Sequence, residues 1–341
     1  MPRGRRNPPE EDPALTRKLR HSFNAVQDLV KEIKPIGLSD RAKTYLRKEP
    51  YGDLVMLYYD EFDVAAPKNM KKITTNKHGV VKILNYFDRD CEVPCAFKFG
   101  ENFIESTPAK FAGITGMKRF GSRRGQKLIQ RFNLKKVDEN VLYNKYFSDI
   151  KETQHSTALT KKKIMETIIE VMKKKKRRTK LDDKHVVCLI GFYLCCVLFC
   201  SDKNASSVNV KYHALVKTYE TVLEVSWPDL VHEHLFEEIL KNADCPSNVK
   251  GCVQYILILF AEHTPAGLIQ KVQNNEQKIP RVGRWYMQVI SDFIAGANMT
   301  EFTVSVFYYL LYILFTITCK RACVTDIYTC KLSVIFCIWH V

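Results

Sequence analysis

The segment from Gly116 to Arg123 has the glycine spacing of a phosphate-binding loop. In such loops a lysine followed by serine or threonine reaches the β- and γ-phosphates and the magnesium ion, but Ser122 and Arg123 stand at these two positions. Because the lysine is missing, the sequence favours a flexible basic loop over a nucleotide site.

Other combinations that could bind metal or catalyse a reaction are also incomplete. His232 and His234 are two residues apart, which on a helix directs them to different faces. Cys91 and Cys95 have no second cysteine pair to complete a zinc site. Twelve cysteines and nine histidines leave a Cys–His nucleophile open, with no local signature for any pair. We therefore expect no catalytic residue, no metal site and no cofactor.

The basic residues form a more specific pattern. The net charge is +16, and residues 1–180 contain 40 Lys/Arg against 22 Asp/Glu, whereas residues 181–341 contain 13 against 15. A cationic half attracts polyanions, although scattered lysines are more often a solvated surface. The candidates for nucleic-acid contact or nuclear import are Lys173, Lys174, Lys175, Lys176, Arg177 and Arg178, together with Arg119, Arg123 and Arg124.

Aromatic residues interrupt the second of these clusters. Phe120 and Phe132 lie among its arginines and could stack on single-stranded bases, or they could simply anchor the segment in the core. Contact with phosphates, without reading of base sequence, is what these residues support.

Hydrophobic spacing predicts a mainly α, multi-helix globular body with one small β-hairpin. Residues 1–12 are expected to be a disordered basic and proline-rich tail, and residues 13–300 the helical body. Within that body we expect a hairpin unit over about 77–116, a basic connection over about 117–180 and an apolar helical half over about 181–300.

The basic part begins as an exposed connection over residues 117–136 and continues into a helix from about Lys161 to Lys180. In the apolar half, residues 186–200 are apolar all round and residues 212–225 form an amphipathic helix. Near the start of the body, Ser39 or Asp40 opens a short helix. The cysteines near residues 188–200 lie in an apolar run, which indicates buried free thiols in a reducing compartment.

The hairpin unit has the clearest local sequence signals in the chain. Two alternating segments, residues 96–99 and 103–105, flank a glycine turn. Thr107 and Pro108 then signal the start of a short helix, and Gly116 its end.

The stretch CEVPCAFKFGENFIESTPAKFAGITGM, residues 91–117, resembles the plant mobile domain and the related domain that precedes ubiquitin-like-protease modules in plant transposon-derived proteins. Later landmarks such as Trp227 and Trp285 extend the resemblance over residues 40–290. It implies an interaction domain, often nuclear, with no established catalytic residue. The triad of the protease module is not recognisable.

Residues 302–319, FTVSVFYYLLYILFTITC, would span about 27 Å as a helix, close to the thickness of a bilayer core. We expect residues 301–341 to be either a membrane anchor or translated non-coding sequence. Three functions thus stay open: a nuclear domain that binds nucleic acid or acidic chromatin proteins, the remnant of a protein fused to a cysteine protease, and a membrane-anchored protein.

Overall fold

The computed structural model describes residues 23–61, 77–99, 102–133, 141–148, 159–174, 178–201, 208–263, 280–284 and 294. The predicted tail at residues 1–12 and the apolar segment 302–319 lie outside this part. The helices are α1 (Asn24–Ile33), α2 (Asp40–Lys48), α3 (Gly52–Glu61), α4 (Lys77–Leu84), α5 (Pro108–Thr115), α6 (Gly125–Gln130), α7 (Val141–Phe147), α8 (Lys161–Lys173), α9 (Lys180–Leu194), α10 (Tyr219–Glu224), α11 (Trp227–Lys241) and α12 (Gln254–Glu262).

In the described part, one antiparallel hairpin accompanies these helices, so the predicted mainly α fold is confirmed. Strand β1 (Ala96–Phe99) pairs with β2 (Asn102–Glu105). The shorter helical segments are a π-helix, Cys195–Phe199, and three 3₁₀ helices, Val210–Leu215, Pro246–Asn248 and Arg281–Arg284.

Helix α9 lies at the centre of the core, where it packs against α2, α8 and α10. Every residue from Val186 to Cys200 is buried, as the apolar run predicted. Gly191 allows close packing, because a Cβ at this position would lie 2.4 Å from the hydroxyl of Tyr51. That hydroxyl donates a hydrogen bond to the carbonyl oxygen of Val187 at 2.9 Å. The buried helix is thus fixed by both packing and a polar contact.

The predicted helix starts are confirmed where a hydroxyl caps the helix. The side chain of Ser39 accepts from the backbone N–H of Ala42, and that of Thr107 from Lys110. Gly116 ends α5 with φ of 73°, a left-handed conformation that glycine adopts without a Cβ penalty. These signals are local, which explains why they can be read from the sequence.

Three predicted boundaries are wrong, two of them because a threonine caps a new helix. The helix expected up to Lys180 ends at Lys173, because Thr179 caps a new helix, α9. The helix expected over residues 212–225 begins instead at Tyr219, where Thr218 supplies the cap. The segment 117–136, expected to be an exposed connection, contains α6.

None of the helices in the described part combines the length and apolar composition needed to cross a bilayer.

Candidate nucleic-acid interface

The junction of α8 and α9 carries the first basic cluster, and a capping box shapes it. Thr179 Oγ1 accepts a hydrogen bond from the backbone N–H of Asp182 at 3.1 Å, and Asp182 Oδ2 accepts from the backbone N–H of Thr179 at 3.0 Å. Such a reciprocal cap satisfies two N–H groups at the start of a helix. It sets where the chain leaves the basic run and re-enters a helix.

The carboxylate of Asp183 holds this junction against α2. Its Oδ1 lies 2.6 Å from Nε of Arg178 and accepts a hydrogen bond from the Ser39 hydroxyl at 2.8 Å. Its Oδ2 accepts from Nε of Arg41 at 2.8 Å. The side chain of Asp183 is fully buried, so two arginines and one serine replace the water that would otherwise solvate it.

Arg178 is therefore not a surface cation, and its place among the predicted nucleic-acid contacts needs correction. Its side chain is only 6% exposed, whereas that of Arg41 is 55% exposed and reaches the same carboxylate from the solvent side. The charge partner of Arg178, Asp183, is only five residues further on, but Ser39 and Arg41, which contact the same carboxylate, are more than 140 residues away. The run of basic residues does not reveal these distant contacts.

The neighbouring carboxylate, Asp182, attracts lysines from two helices. Its Oδ1 lies 3.6 Å from Nζ of Lys174 and 4.0 Å from Nζ of Lys145. Burial opposes ionisation, but the hydrogen bonds from Thr179 and the two lysines outweigh it and hold the pKa of Asp182 below its ordinary value. The lysines stay well exposed, so this contact positions them without removing them from solvent.

A histidine beside these lysines contributes no charge. Tyr146 Oη lies 2.9 Å from Nδ1 of His185, and Nζ of Lys145 lies 3.5 Å from the same nitrogen. Burial, followed by the repulsion of Lys145, lowers the pKa of His185 to about 4. The ring is neutral at pH 7, so the positive charge here belongs to the lysines and arginines.

Lys173 and Lys174 are exposed at the end of α8, as predicted. Lys175, Lys176 and Arg177 lie outside the described residues. In the described part, the exposed members of the first cluster are therefore these two lysines. Arg41 and Lys145, from elsewhere in the chain, lie close to the same junction.

In the second cluster, Arg119, Arg123 and Arg124 are exposed. The segment is nevertheless held in place by contacts at Arg123. Arg123 N–H donates to the carbonyl oxygen of Glu224 at 3.0 Å, and its guanidinium lies 2.9 Å from the Glu224 carboxylate. Gly121 has φ of 86°, and a Cβ there would lie 2.6 Å from the same carbonyl oxygen. The expected flexible basic loop is therefore a pinned segment in which glycine allows the close approach.

Phe132 is a core anchor. Its ring packs against the core and makes an edge contact with the buried His213, 6.3 Å between centroids. Of the two alternatives left open for this aromatic, the structure supports core packing over base stacking.

A serine and a histidine meet in the core, a pair that sequence spacing did not indicate. Ser106 Oγ lies 2.9 Å from Nε2 of His232 and 2.8 Å from the hydroxyl of Tyr255. This is the distance of a nucleophile and its base, but Ser106 is only 3% exposed and His232 6%. Burial also lowers the pKa of His232 to about 4. The three side chains therefore pair their polar groups with one another in a buried position.

The described cysteines divide into buried and accessible groups. Cys188, Cys195 and Cys252 are buried, and burial raises the pKa of each thiol, which opposes formation of the nucleophilic thiolate. Cys245 is exposed. Within the described residues, no three His, Cys, Asp or Glu side chains are placed to hold a metal ion.

The chain matches no protein-family model, no curated protein and no solved structure. The fold and the surface together define a mainly α protein in which buried carboxylates position exposed cations.

Proposed function

We propose that this chain is a non-enzymatic interaction module of transposon-derived origin that binds nucleic acid or acidic chromatin partners in the nucleus. The observation that carries the proposal is the α8–α9 junction, where Asp182 positions the exposed Lys174 and Asp183 positions the exposed Arg41. The resemblance of residues 91–117 to the plant mobile domain supports the same function, because that family consists of interaction domains.

The affinity of this surface for phosphates depends on which charges remain exposed. Asp183 is fully buried against two arginines, and Asp182 is only 9% exposed, so neither carboxylate presents negative charge on the surface. Lys173, Lys174 and Arg41 stay exposed. A surface with cations outside and their counter-ions inside attracts phosphates, and the affinity should fall steeply with salt because bound phosphates release counterions.

The test measures binding of a fluorescent 20-base-pair duplex by anisotropy at several salt concentrations. The variant Lys173→Gln/Lys174→Gln should bind roughly tenfold more weakly near 0.15 M salt, and its salt slope should decrease by about 2, since each lost phosphate contact removes about 0.9. Arg178 is left unchanged because its removal would strand the buried Asp183.

The matched control is Lys162→Gln/Lys241→Gln, which removes the same charge at two exposed positions. Lys162 lies at the other end of α8, about 16 Å along the helix from Lys173. If both variants lose the same affinity, binding follows net charge rather than this surface, and the assignment to the α8–α9 junction is wrong. If the unaltered chain does not bind the duplex, the nucleic-acid function is rejected.

A further inference from the structure

Helix α2 connects the two basic clusters, which are about 50 residues apart in sequence. At its start, the guanidinium of Arg41 donates a hydrogen bond to the carbonyl oxygen of Arg178 at 3.2 Å. At its end, the ammonium group of Lys118 donates to the carbonyl oxygen of Arg47. The backbone N–H of Lys118 also donates to the carbonyl oxygen of Pro50 at 3.0 Å. The α8–α9 junction and the Arg119 segment therefore lie at opposite ends of one helix.

The outer face of α2 is itself cationic. Its sequence, DRAKTYLRK, contains four basic residues and one acidic residue. Arg41, Thr44 and Lys48 follow the three- and four-residue spacing of one helix face, and all three are exposed. Ala42 and Leu46 are buried on the opposite face. From Arg41 to Lys48 the helix rises about 10 Å.

The acidic groups nearby offset this face only in part. Arg47 lies 3.5 Å from the Asp60 carboxylate, but both side chains are more than half exposed, which makes the pair weak. Asp40 is exposed at the start of the helix and lies 3.4 Å from Nζ of Lys43. Glu49, directly after the helix, is fully buried, and its pKa of about 8 keeps it largely uncharged at pH 7.

Two aromatic rings along this path are partly buried. Tyr45 and Tyr146 both pack against the core. The Tyr45 ring makes an edge contact with Tyr219 at 5.1 Å between centroids, and the Tyr146 ring makes one with His185 at 5.5 Å. Proteins that bind single strands stack bases on exposed aromatic rings, whereas duplexes are held through their phosphates.

We propose that α2 is the centre of one cationic strip, formed by Lys173 and Lys174, Arg41, Arg47 and Lys48, and Arg119, which binds the sugar-phosphate backbone of double-stranded nucleic acid. This inference rests on the proposed function and deepens it, because it names the surface and the form of the ligand. The rise of α2 alone corresponds to about three base pairs of a duplex. The strip should contact phosphates with little preference for base sequence.

The test uses the full chain with Arg47→Gln/Lys48→Gln. Both side chains are exposed, and the carbonyl oxygen that accepts from Lys118 is unchanged. We expect roughly tenfold weaker binding of a 20-base-pair duplex and a decrease of about 2 in the salt slope, equal for duplexes of unrelated sequence. The charge-conserving swap Arg47→Lys/Lys48→Arg should retain binding, and circular dichroism should show all variants folded.

The controls separate this inference from the function itself. Lys162→Gln/Lys241→Gln should bind as the unaltered chain does. If Lys173→Gln/Lys174→Gln loses affinity but Arg47→Gln/Lys48→Gln does not, the strip is refuted while the proposed function stands. Tighter binding of a single strand of equal phosphate number, of an acidic peptide, or of phosphatidylserine vesicles would overturn the assignment to duplex phosphates.

Discussion

Glu49 provides the most direct test of the electrostatics of this fold. It follows α2 and is fully buried, and among the described residues neither carboxylate oxygen has a hydrogen-bond partner. The nearby hydroxyl of Tyr219 donates instead to the carbonyl oxygen of Tyr45 at 3.3 Å, and Lys118 pairs with Asp53 at 3.2 Å. The carboxyl group is thus desolvated without a replacement for water, which favours its neutral form.

Burial raises the pKa of Glu49 from its ordinary value of 4.5 to about 8, although the nearby Tyr219 and Lys118 partly offset this effect. Below pH 4.5 the group is protonated in both the folded and the unfolded chain. Between pH 4.5 and about 8 the unfolded chain loses this proton while the folded chain keeps it, so the free energy of unfolding falls as pH rises. Above about pH 8 the loss is complete, at about 5 kcal/mol.

The substitution Glu49→Gln removes the ionisation but keeps nearly the same shape. The advantage of the variant over the unaltered chain should therefore grow by about 3 kcal/mol between pH 5.5 and pH 9. Urea unfolding followed by circular dichroism at each pH measures this difference. Other titrating groups cancel, because only the difference between the two proteins is compared.

Glu166→Gln is the matched control, since Glu166 lies on α8 with its side chain 55% exposed. Its difference from the unaltered chain should stay within about 0.5 kcal/mol over the same pH range. If the Glu49→Gln curve runs parallel to that of the unaltered chain, Glu49 is ionised in the folded protein. Burial would then not neutralise this carboxyl group, and its negative charge would also count against the α2 strip.

Four further predictions follow from the contacts described above. The lysine pair at the end of α8 and the cations at the end of α2 should each be needed for salt-sensitive duplex binding, as measured by anisotropy with Lys173→Gln/Lys174→Gln and Arg47→Gln/Lys48→Gln. Asp183→Asn should lower the free energy of unfolding by about 3–5 kcal/mol in urea, because Arg178 would keep its charge while buried; Asp40→Asn, at an exposed position, should change it by less than about 0.5 kcal/mol. Gly191→Ala should lower the free energy of unfolding by about 1–3 kcal/mol through overpacking against Tyr51, and an unchanged urea midpoint would show that α9 moves away from Tyr51 easily.

Much of the fold could be predicted because its signals are local. The hydroxyl caps at Ser39 and Thr107, the hairpin and the apolar run from Val186 to Cys200 were read from neighbouring residues and are confirmed. Where a boundary was wrong, as at the end of α8, a cap signal at Thr179 was present in the sequence but was outweighed by the helical spacing around it.

The sequence alone determined that this is a helical protein with a basic half, because composition and residue spacing decide which segments can bury a face. Only the tertiary structure decided which cations face solvent. Arg178 is buried because Asp183 and Ser39, the latter 144 residues from that aspartate, meet at the start of α9. Arg41 and Lys48 become candidates for phosphate contact because α2 lies between two basic segments that are distant in sequence. Such pairings depend on how helices pack, and no local pattern encodes them.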